Sequence, residues 1–558
     1  MNIRQILPPI LLIALTAMLV VQLPAAIAGR AQNYDWFGPI IDTRAILMDR
    51  FVVDPDDEAM QQAMIKAMLE ALDDPHTIYV PPVDEQDFNK DLMGHYVGIG
   101  AHVRPHERRL KIISPMDNSP ALRAGIKAGD IVLKVDDFDT LDQPISDCID
   151  QLLGEPGSPV TLLVKHIDDT EETIEVIRGA INAPTTAGFM RRDGMWKYMV
   201  DPERGIGYLR LTQFTDRTLA QVSQALQAAM TEGQLNGLML DLRSNPGGAL
   251  QAAVAMSDLF LAQGDIVSVG TERPDRATER RTMSATPGEP MENVELVGLI
   301  DQHSASASEI VAGAIRDNHR GRIVGKRSFG KGSVQEVRPL DEDNGLLKFT
   351  TAYYYLPSGR NLHRRKETPE AAWGVDPSMG CVVPEPPEAR LARIEARQPF
   401  EIITDDEPVL EGEIDDTWLR EVYKDPALAE AWALLSHRLD QDAWPELAED
   451  EDAAFPPMQA ELDAAMDQRE AMYRHLIELE ERIQTLEGSE LTRERGLIGL
   501  PKEAEISEAR LILQRPDGTL IGQWDVAEGE NIRASLEAVE LVPVPSDTSE
   551  QSDTSDAG

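Results

Sequence analysis

The stretch Val294-Glu295-Leu296-Val297-Gly298-Leu299-Ile300-Asp301-Gln302-His303-Ser304-Ala305-Ser306-Ala307-Ser308-Glu309-Ile310-Val311-Ala312-Gly313-Ala314-Ile315 decides the fold of this chain. It opens as an apolar run that reads as a buried strand and closes, from Glu309 to Ile315, as a helix. The small residues between them form a strand-to-helix turn that a substrate can approach closely. Free N–H groups at the helix start carry partial positive charge and suit a developing oxyanion. Ser306 lies in that turn. A serine hydroxyl is a poor nucleophile until a base takes its proton, and a lysine serves as that base only where burial keeps its amine neutral. Ser328-Phe329-Gly330-Lys331-Gly332-Ser333-Val334-Gln335 supplies such a lysine between two glycines. Lys331 and Gln335 are four apart, a spacing that puts both on one side of a helix or a strand, so Gln335 could hold the amine without charging it. Each segment also has a plainer reading: a helix cap followed by a first-turn acid, and a Gly-Lys-Gly surface turn.

Outward from this stretch, apolar runs alternate with helical patterns from Gly205 to about Pro384. They are Ile206 to Leu211, Leu219 to Met230, Leu238 to Leu242, Leu250 to Leu261, Val294 to Ile300, Glu309 to Arg316, and Ile323 to Val324. That order predicts an α/β domain with a largely parallel sheet covered by helices, its site at the carboxyl ends of strands. Asp241-Leu242-Arg243-Ser244-Asn245-Pro246-Gly247-Gly248 follows one of those strands and on its own reads as a plain connection.

Taken together, the three segments resemble the carboxyl-terminal processing peptidases, or tail-specific proteases of the S41 type, which use a Ser-Lys dyad. The resemblance covers roughly residues 35 to 385 and includes Leu72-Asp73-Asp74-Pro75-His76-Thr77, the strand and turn from Tyr353 to Arg360, and Trp373-Gly374-Val375-Asp376-Pro377. It implies Ser306 as nucleophile rather than Ser304 or Ser308, which the residues alone leave open. It also implies Lys331 as base, Gln335 as its support, and the backbone amides of Ala307 and of Gly247, or else Gly248, as oxyanion donors. His303 departs from the family pattern and leaves room for a histidine role near the nucleophile. The alternative to an endopeptidase is a non-catalytic peptide-binding scaffold on the same fold.

Tyr96-Val97-Gly98-Ile99-Gly100, followed by Ser119-Pro120-Ala121-Leu122-Arg123-Ala124-Gly125-Ile126-Lys127-Ala128-Gly129-Asp130, resembles a PDZ domain of the bacterial protease type. An exposed Gly-Ile-Gly edge, with Val97, Gly98, Ile99 and Gly100 as peptide-binding residues, would offer amides to a terminal carboxylate and a strand edge to an extended peptide. A short helix ending at Gly125, strands at Ile131 to Val135, Val160 to Val164 and Glu172 to Ile177, and a helix from Ile145 to Leu153 along the groove complete this β-rich module.

The formal charge of −44 over 558 residues repels phosphate backbones and anionic lipid headgroups, which excludes nucleic acid as a partner. Ten histidines and two cysteines, Cys148 and Cys381, show no metal spacing, and no cofactor or metal is expected. Arg4 before an apolar stretch, Ile10 to Val21, and Ala26-Ile27-Ala28 before Gly29 read as an export signal, or else as a membrane anchor. Either places the protein in the periplasm or another space outside the cytoplasm. The expected organisation is a signal peptide or anchor (1–28), an N-terminal helical region (29–90), the PDZ module (91–180), and the protease core (181–385). An acidic C-terminal extension (386–545) carries a long helix at Met458 to Leu486 and a β-hairpin within Ile506 to Trp524, ahead of a polar tail (546–558). The implied partners are protein or peptide substrates with accessible C-termini. The reading also leaves room for an adaptor protein, a membrane anchor and a homo-oligomer.

Overall fold

The computed structural model describes residues 36–446 apart from 86, 87, 89–94, 107, 183, 274–279, 289, 290, 341–343, 366–372, 405–407 and 409–411. It also describes Met472, 510–514 and 520–525. The segments read as an export signal or anchor, as a long helix (Met458 to Leu486) and as a polar tail lie outside the described residues, Met472 excepted. The chain divides into two compact units, residues 1–460 and 461–558. In the second, Arg510–Gln514 and Leu520–Asp525 pair antiparallel, as the alternation around Pro516-Asp517-Gly518 predicts. Among the described residues no helix is long and apolar enough to cross a membrane.

Two helices open the first unit: α1 (residues 36–50) and α2 (Asp57–Glu70), the latter capped by Asp56, whose carboxylate accepts from Ala59 N. The methionine stripe of α2 suggests core or a dimer contact, but the helix has no buried residue in this chain. A short strand, β1 (Ile78–Val80), follows the Asp74-Pro75-His76-Thr77 turn.

The β-rich module is closed by its first and last strands, β2 (His95–Gly98) and β8 (Gly179–Asn182), which pair antiparallel. Within it, β3 (Ala101–His106), β4 (Arg109–Pro115), β5 (Ile131–Val135), β6 (Pro159–Lys165) and β7 (Glu171–Ile177) form one sheet in that order, so β3 is an edge. Helix α3 (Pro120–Ala124) starts on a Ser119 cap with proline at its first position and ends at Gly125, whose φ of 94° suits glycine. Helix α4 (Ile145–Leu152) contributes the buried Cys148 and Leu152 to the module's core.

In the α/β core, β9 (Ile206–Leu211), β10 (Gly237–Asp241), β12 (Glu295–Ile300) and β13 (Gly321–Gly325) run parallel. Two short strands, Thr186–Ala187 and Met199–Asp201, pair antiparallel with β9. Alternation along the parallel strands feeds two cores, because successive side chains point to opposite faces. Leu209, Leu211, Leu238, Leu240, Leu296, Ile300 and Ile323 pack with α5 (Thr218–Glu232), α6 (Leu250–Asp258) and α7 (Ala307–Asp317). Ile206, Tyr208, Met239, Val297, Leu299 and Val324 face the other way. They meet Phe400 of α8 (Pro387–Glu401), Trp418 and Leu419 of α9 (Asp416–Glu421), Tyr423, and Leu428, Leu434 and Leu435 of α10 (Pro426–Gln441).

The core limit expected at residue 385 is therefore corrected. Helices within residues 387–441 supply the second helical layer of the parallel sheet, and the high acidic content of this region hides the apolar stripe that packs there. A second sheet, which the sequence reading does not foresee, joins β1, β11 (Asp265–Gly270), β14 (Ser333–Pro339) and β15 (Leu346–Tyr355) antiparallel. Cys148 and Cys381 are both buried and free.

Candidate active site

Strands β10 and β12 are parallel neighbours, so the turns leaving their carboxyl ends meet. From β10 comes Leu242 to Gly248, and from β12 comes Asp301 to Ser306. Asp301 binds both. Its Oδ1 accepts from Ser244 N at 2.9 Å and from His303 N at 3.0 Å, and its Oδ2 accepts from Ser244 Oγ at 3.1 Å. The Asn245 carbonyl accepts from Ala305 N and Ser308 Oγ, both at 3.0 Å.

This frame separates three serines that look alike in sequence. Ser304 is fully buried, donates to Leu242 O at 2.9 Å and accepts from Asp301 N at 2.9 Å. Ser308 is fully buried and donates to Asn245 O. Both hydroxyls are spent holding the turn. Ser306, 8 % exposed, gives its hydroxyl to no backbone carbonyl among the described residues. It sits at the entrance of α7 with φ 55° and ψ −111°, a strained conformation of the kind that gathers at functional sites.

Glu309 connects this turn to the lysine segment. Its fully buried carboxylate accepts from Ser306 N and Lys331 N at 2.8 Å each through Oε2, and from Ser328 Oγ at 2.5 Å and Gly330 N at 2.7 Å through Oε1. The Ser306 and Lys331 nitrogens share one oxygen, so they lie within one lysine side-chain length of each other. Burial pushes the Glu309 carboxyl up to about 7, against the pull of its four donors. Burial also lowers the Lys331 amine, aided by the nearby Lys348 charge and opposed by Glu309 and Asp74. Gly330 has φ 86°, and a Cβ there would meet Trp373 at 2.9 Å, so this turn needs glycine. Sequence reasoning treats Glu309 only as a first-turn acid; its signal is its place three residues after the serine.

The expected contact between Gln335 and Lys331 is absent among the described residues, as is a hydrogen bond between Ser306 Oγ and Lys331 Nζ. Gln335 Nε2 donates instead to Ser333 Oγ at 2.8 Å and to Thr350 Oγ1 at 3.2 Å. A β-bulge between Val334 and Gln335 shifts the register of β14 and upsets the simple four-residue spacing. Thr350 N donates to Thr77 Oγ1 at 3.1 Å, and Thr77 Oγ1 donates to Asp74 Oδ2 at 2.6 Å. The Asp74-Pro75-His76-Thr77 turn thus braces the strand that faces Gln335.

The Ala307 amide begins α7 and has no acceptor among the described residues. Gly247, at φ 99°, packs against it: a Cβ on Gly247 would lie 2.9 Å from Ala307 N and 2.8 Å from Ser306 Cβ. The Gly247 amide itself donates to Asn245 Oδ1 at 2.9 Å, so it is occupied in this arrangement. His303 turns away, its Nε2 accepting from Arg390 of α8 at 2.7 Å. Among the described residues no group of acids, histidines and cysteines is placed to hold a metal ion.

Residues 205–378 match the model of peptidase family S41, and residues 97–177 match that of the PDZ domain. The carboxy-terminal-processing protease of Bartonella bacilliformis is 36 % identical over 361 residues, 64 % of this chain and 79 % of that protein. The chain belongs to the carboxy-terminal-processing peptidases of family S41. It is a serine protease. A Staphylococcus haemolyticus protein described as a probable CtpA-like serine protease is 32 % identical over 56 % of this chain and 59 % of its own length. The solved photosystem II D1 C-terminal processing protease is 27 % identical over 62 % of this chain and 86 % of its own, with a TM-score of 0.35.

Within the protease's PDZ domain, Gly98, Ile99 and Gly100 are buried rather than an exposed edge, and Val97 is half-buried. Ile99 points into the domain core. The Ile99 and Gly100 carbonyls accept from Ala121 N at 2.8 Å and Met116 N at 3.0 Å, while their amides have no partner among the described residues. The open edge is the next strand, β3.

Proposed function

We propose that this protease engages the C-terminus of a protein or peptide substrate through its PDZ domain and cleaves with a Ser306–Lys331 dyad. The observation that carries the dyad is the Glu309 carboxylate, which fastens both segments from one buried point. Ser306 Oγ attacks the peptide carbonyl while neutral Lys331 takes its proton and returns it to the leaving amine. Gln335 orients the lysine in this reading, which requires it to leave both Ser333 and Thr350. Ala307 N–H and a glycine amide of the Asn-Pro-Gly-Gly turn receive the tetrahedral oxyanion; Gly247 N–H, whose residue packs against Ser306 and Ala307, does so after releasing Asn245. Recognition of the tail rests on the unpartnered amides of Ile99 and Gly100 beside the edge strand β3, where a peptide adds as a further strand. The apolar stretch from Ile10 to Val21 supports export or anchoring outside the cytoplasm.

A serine-directed phosphonylating probe, with the adduct located by mass spectrometry, tests the dyad. Label is expected on Ser306 in the wild type, S304A and S308A, and no cleavage of a tailed substrate is expected in S306A or K331A. Label on Ser304 or Ser308, or full turnover by K331A, refutes the assignment. A chain that takes no label while binding tailed peptides would be a peptide-binding scaffold instead.

A further inference from the structure

Buried beneath the Asn-Pro-Gly-Gly turn, Arg243 is gripped from two sides. Its Nε and Nη2 donate to Asp241 Oδ1 and Oδ2 at 2.9 and 2.7 Å, and its Nη1 and Nη2 donate to Asp425 Oδ1 and Oδ2 at 2.7 and 2.8 Å. Asp241 also accepts from Tyr208 Oη at 2.7 Å, and all three charged residues are buried. Asp425 lies 182 residues downstream, beyond the residues that match the peptidase family model. It is the cap of α10, its Oδ1 accepting from Leu428 N at 2.9 Å.

We infer that Asp425 is a positioning residue for catalysis: through Arg243 it fixes where the oxyanion turn begins. The inference rests on the Ser306 reading above. A guanidinium held in two bidentate pairs has no rotational freedom left, so the backbone at Arg243 is set by both carboxylates. The next residue, Ser244, has φ 56° and donates twice to Asp301; the one after, Asn245, receives Ala305 N and Ser308 Oγ on either side of the nucleophile. Displacement at Arg243 therefore passes to the Gly247–Gly248 amides and to the Ser306 backbone through three residues. A purely structural role for Asp425, capping α10, would leave that geometry untouched.

Capping and positioning separate by substitution. Asn and Ser cap helices about as well as Asp, so D425N and D425S keep the bond from Leu428 N. Neither offers Arg243 a charged bidentate partner, and the amide of Asn turns a donor toward a donor. The experiment uses the full-length chain, with native folding verified by circular dichroism and thermal melting. It measures the rate of Ser306 phosphonylation by a small probe that needs no PDZ engagement, together with kcat and KM on a tailed peptide. Both variants are expected to phosphonylate about tenfold to a hundredfold more slowly, with kcat reduced alike and KM within about threefold. R243K, which keeps the charge but cannot span both carboxylates, reads the same turn from the other partner and is expected to match them. Wild-type phosphonylation rate and kcat in any folded one of the three overturn the inference while leaving the Ser306 reading intact. A wild-type chain that takes no label at Ser306 overturns both.

Discussion

Glu309→Gln tests the link between the two halves of the site most directly. The carboxylate receives four donors, two on each oxygen. A carboxamide keeps one accepting oxygen and turns an NH2 toward the other two donors, so whichever way it flips, two buried donors lose their acceptor. At about 1–3 kcal/mol for each buried donor left unpaired, the loss is about 2–6 kcal/mol. For a unit of this size that lowers the melting midpoint by about 2–6 °C.

Either flip loosens the common anchor, freeing the Ser306 and Lys331 amides or else the Ser328 hydroxyl and Gly330 amide beside them, and kcat is expected to fall by about a hundredfold, the usual consequence of an ångström of misplacement. A second readout comes from protonation. Burial raises the folded carboxyl to about 7, above its ordinary value of 4.5, so the folded state holds a proton that the unfolded chain has released. That stabilising contribution is complete below pH 4.5 and is lost as pH rises through about 7. Melting midpoints across pH 4 to 8 should fall along this limb in the wild type and lose this component in E309Q. An E309Q protein with an unchanged midpoint, pH profile and kcat would show that the two segments are held by other contacts.

A lysine base must be neutral to act, and burial and Lys348 lower its amine below the usual 10.5. The kcat/KM profile is therefore expected to climb with pH and level off below that value. K348Q, by removing the like charge, should shift the climb to higher pH; an unshifted limb would assign it to another group. Gly247→Ala places a Cβ 2.6 Å from Ala305 O at a φ of 99°, and is expected to cost about a hundredfold or more in kcat through the distorted oxyanion turn, measured by steady-state kinetics. Retained turnover would move that turn away from the chemistry.

The parallel strands and their helices were legible because apolar runs and helical patterns alternate with short connections. The segments carrying Ser306, Lys331 and Gly247 were legible because small residues and glycines punctuate them. Other features were not. The partner of Gln335 depends on a β-bulge, which moves the side chain without leaving a mark in the spacing. The work of Glu309 depends on donors from residues 328 to 331, which only the fold brings to it. The second helical layer hid within an acidic segment because its apolar residues, such as Trp418, Leu419, Tyr423 and Leu428, are spread over a six-residue helix, a link and a sixteen-residue helix.

That layer bears on how the enzyme is made. As the chain leaves the ribosome, Ser306 and Lys331 have both been synthesised by residue 331, yet one side of the sheet beneath them stays bare until residues 416–441 emerge and cover Tyr208, Met239 and Val297. Asp425 arrives in that same late segment. The parallel sheet is thus closed on both faces only by a segment that lies beyond the residues matching the peptidase family model, so the stability of the site's framework is tied to residues 416–441.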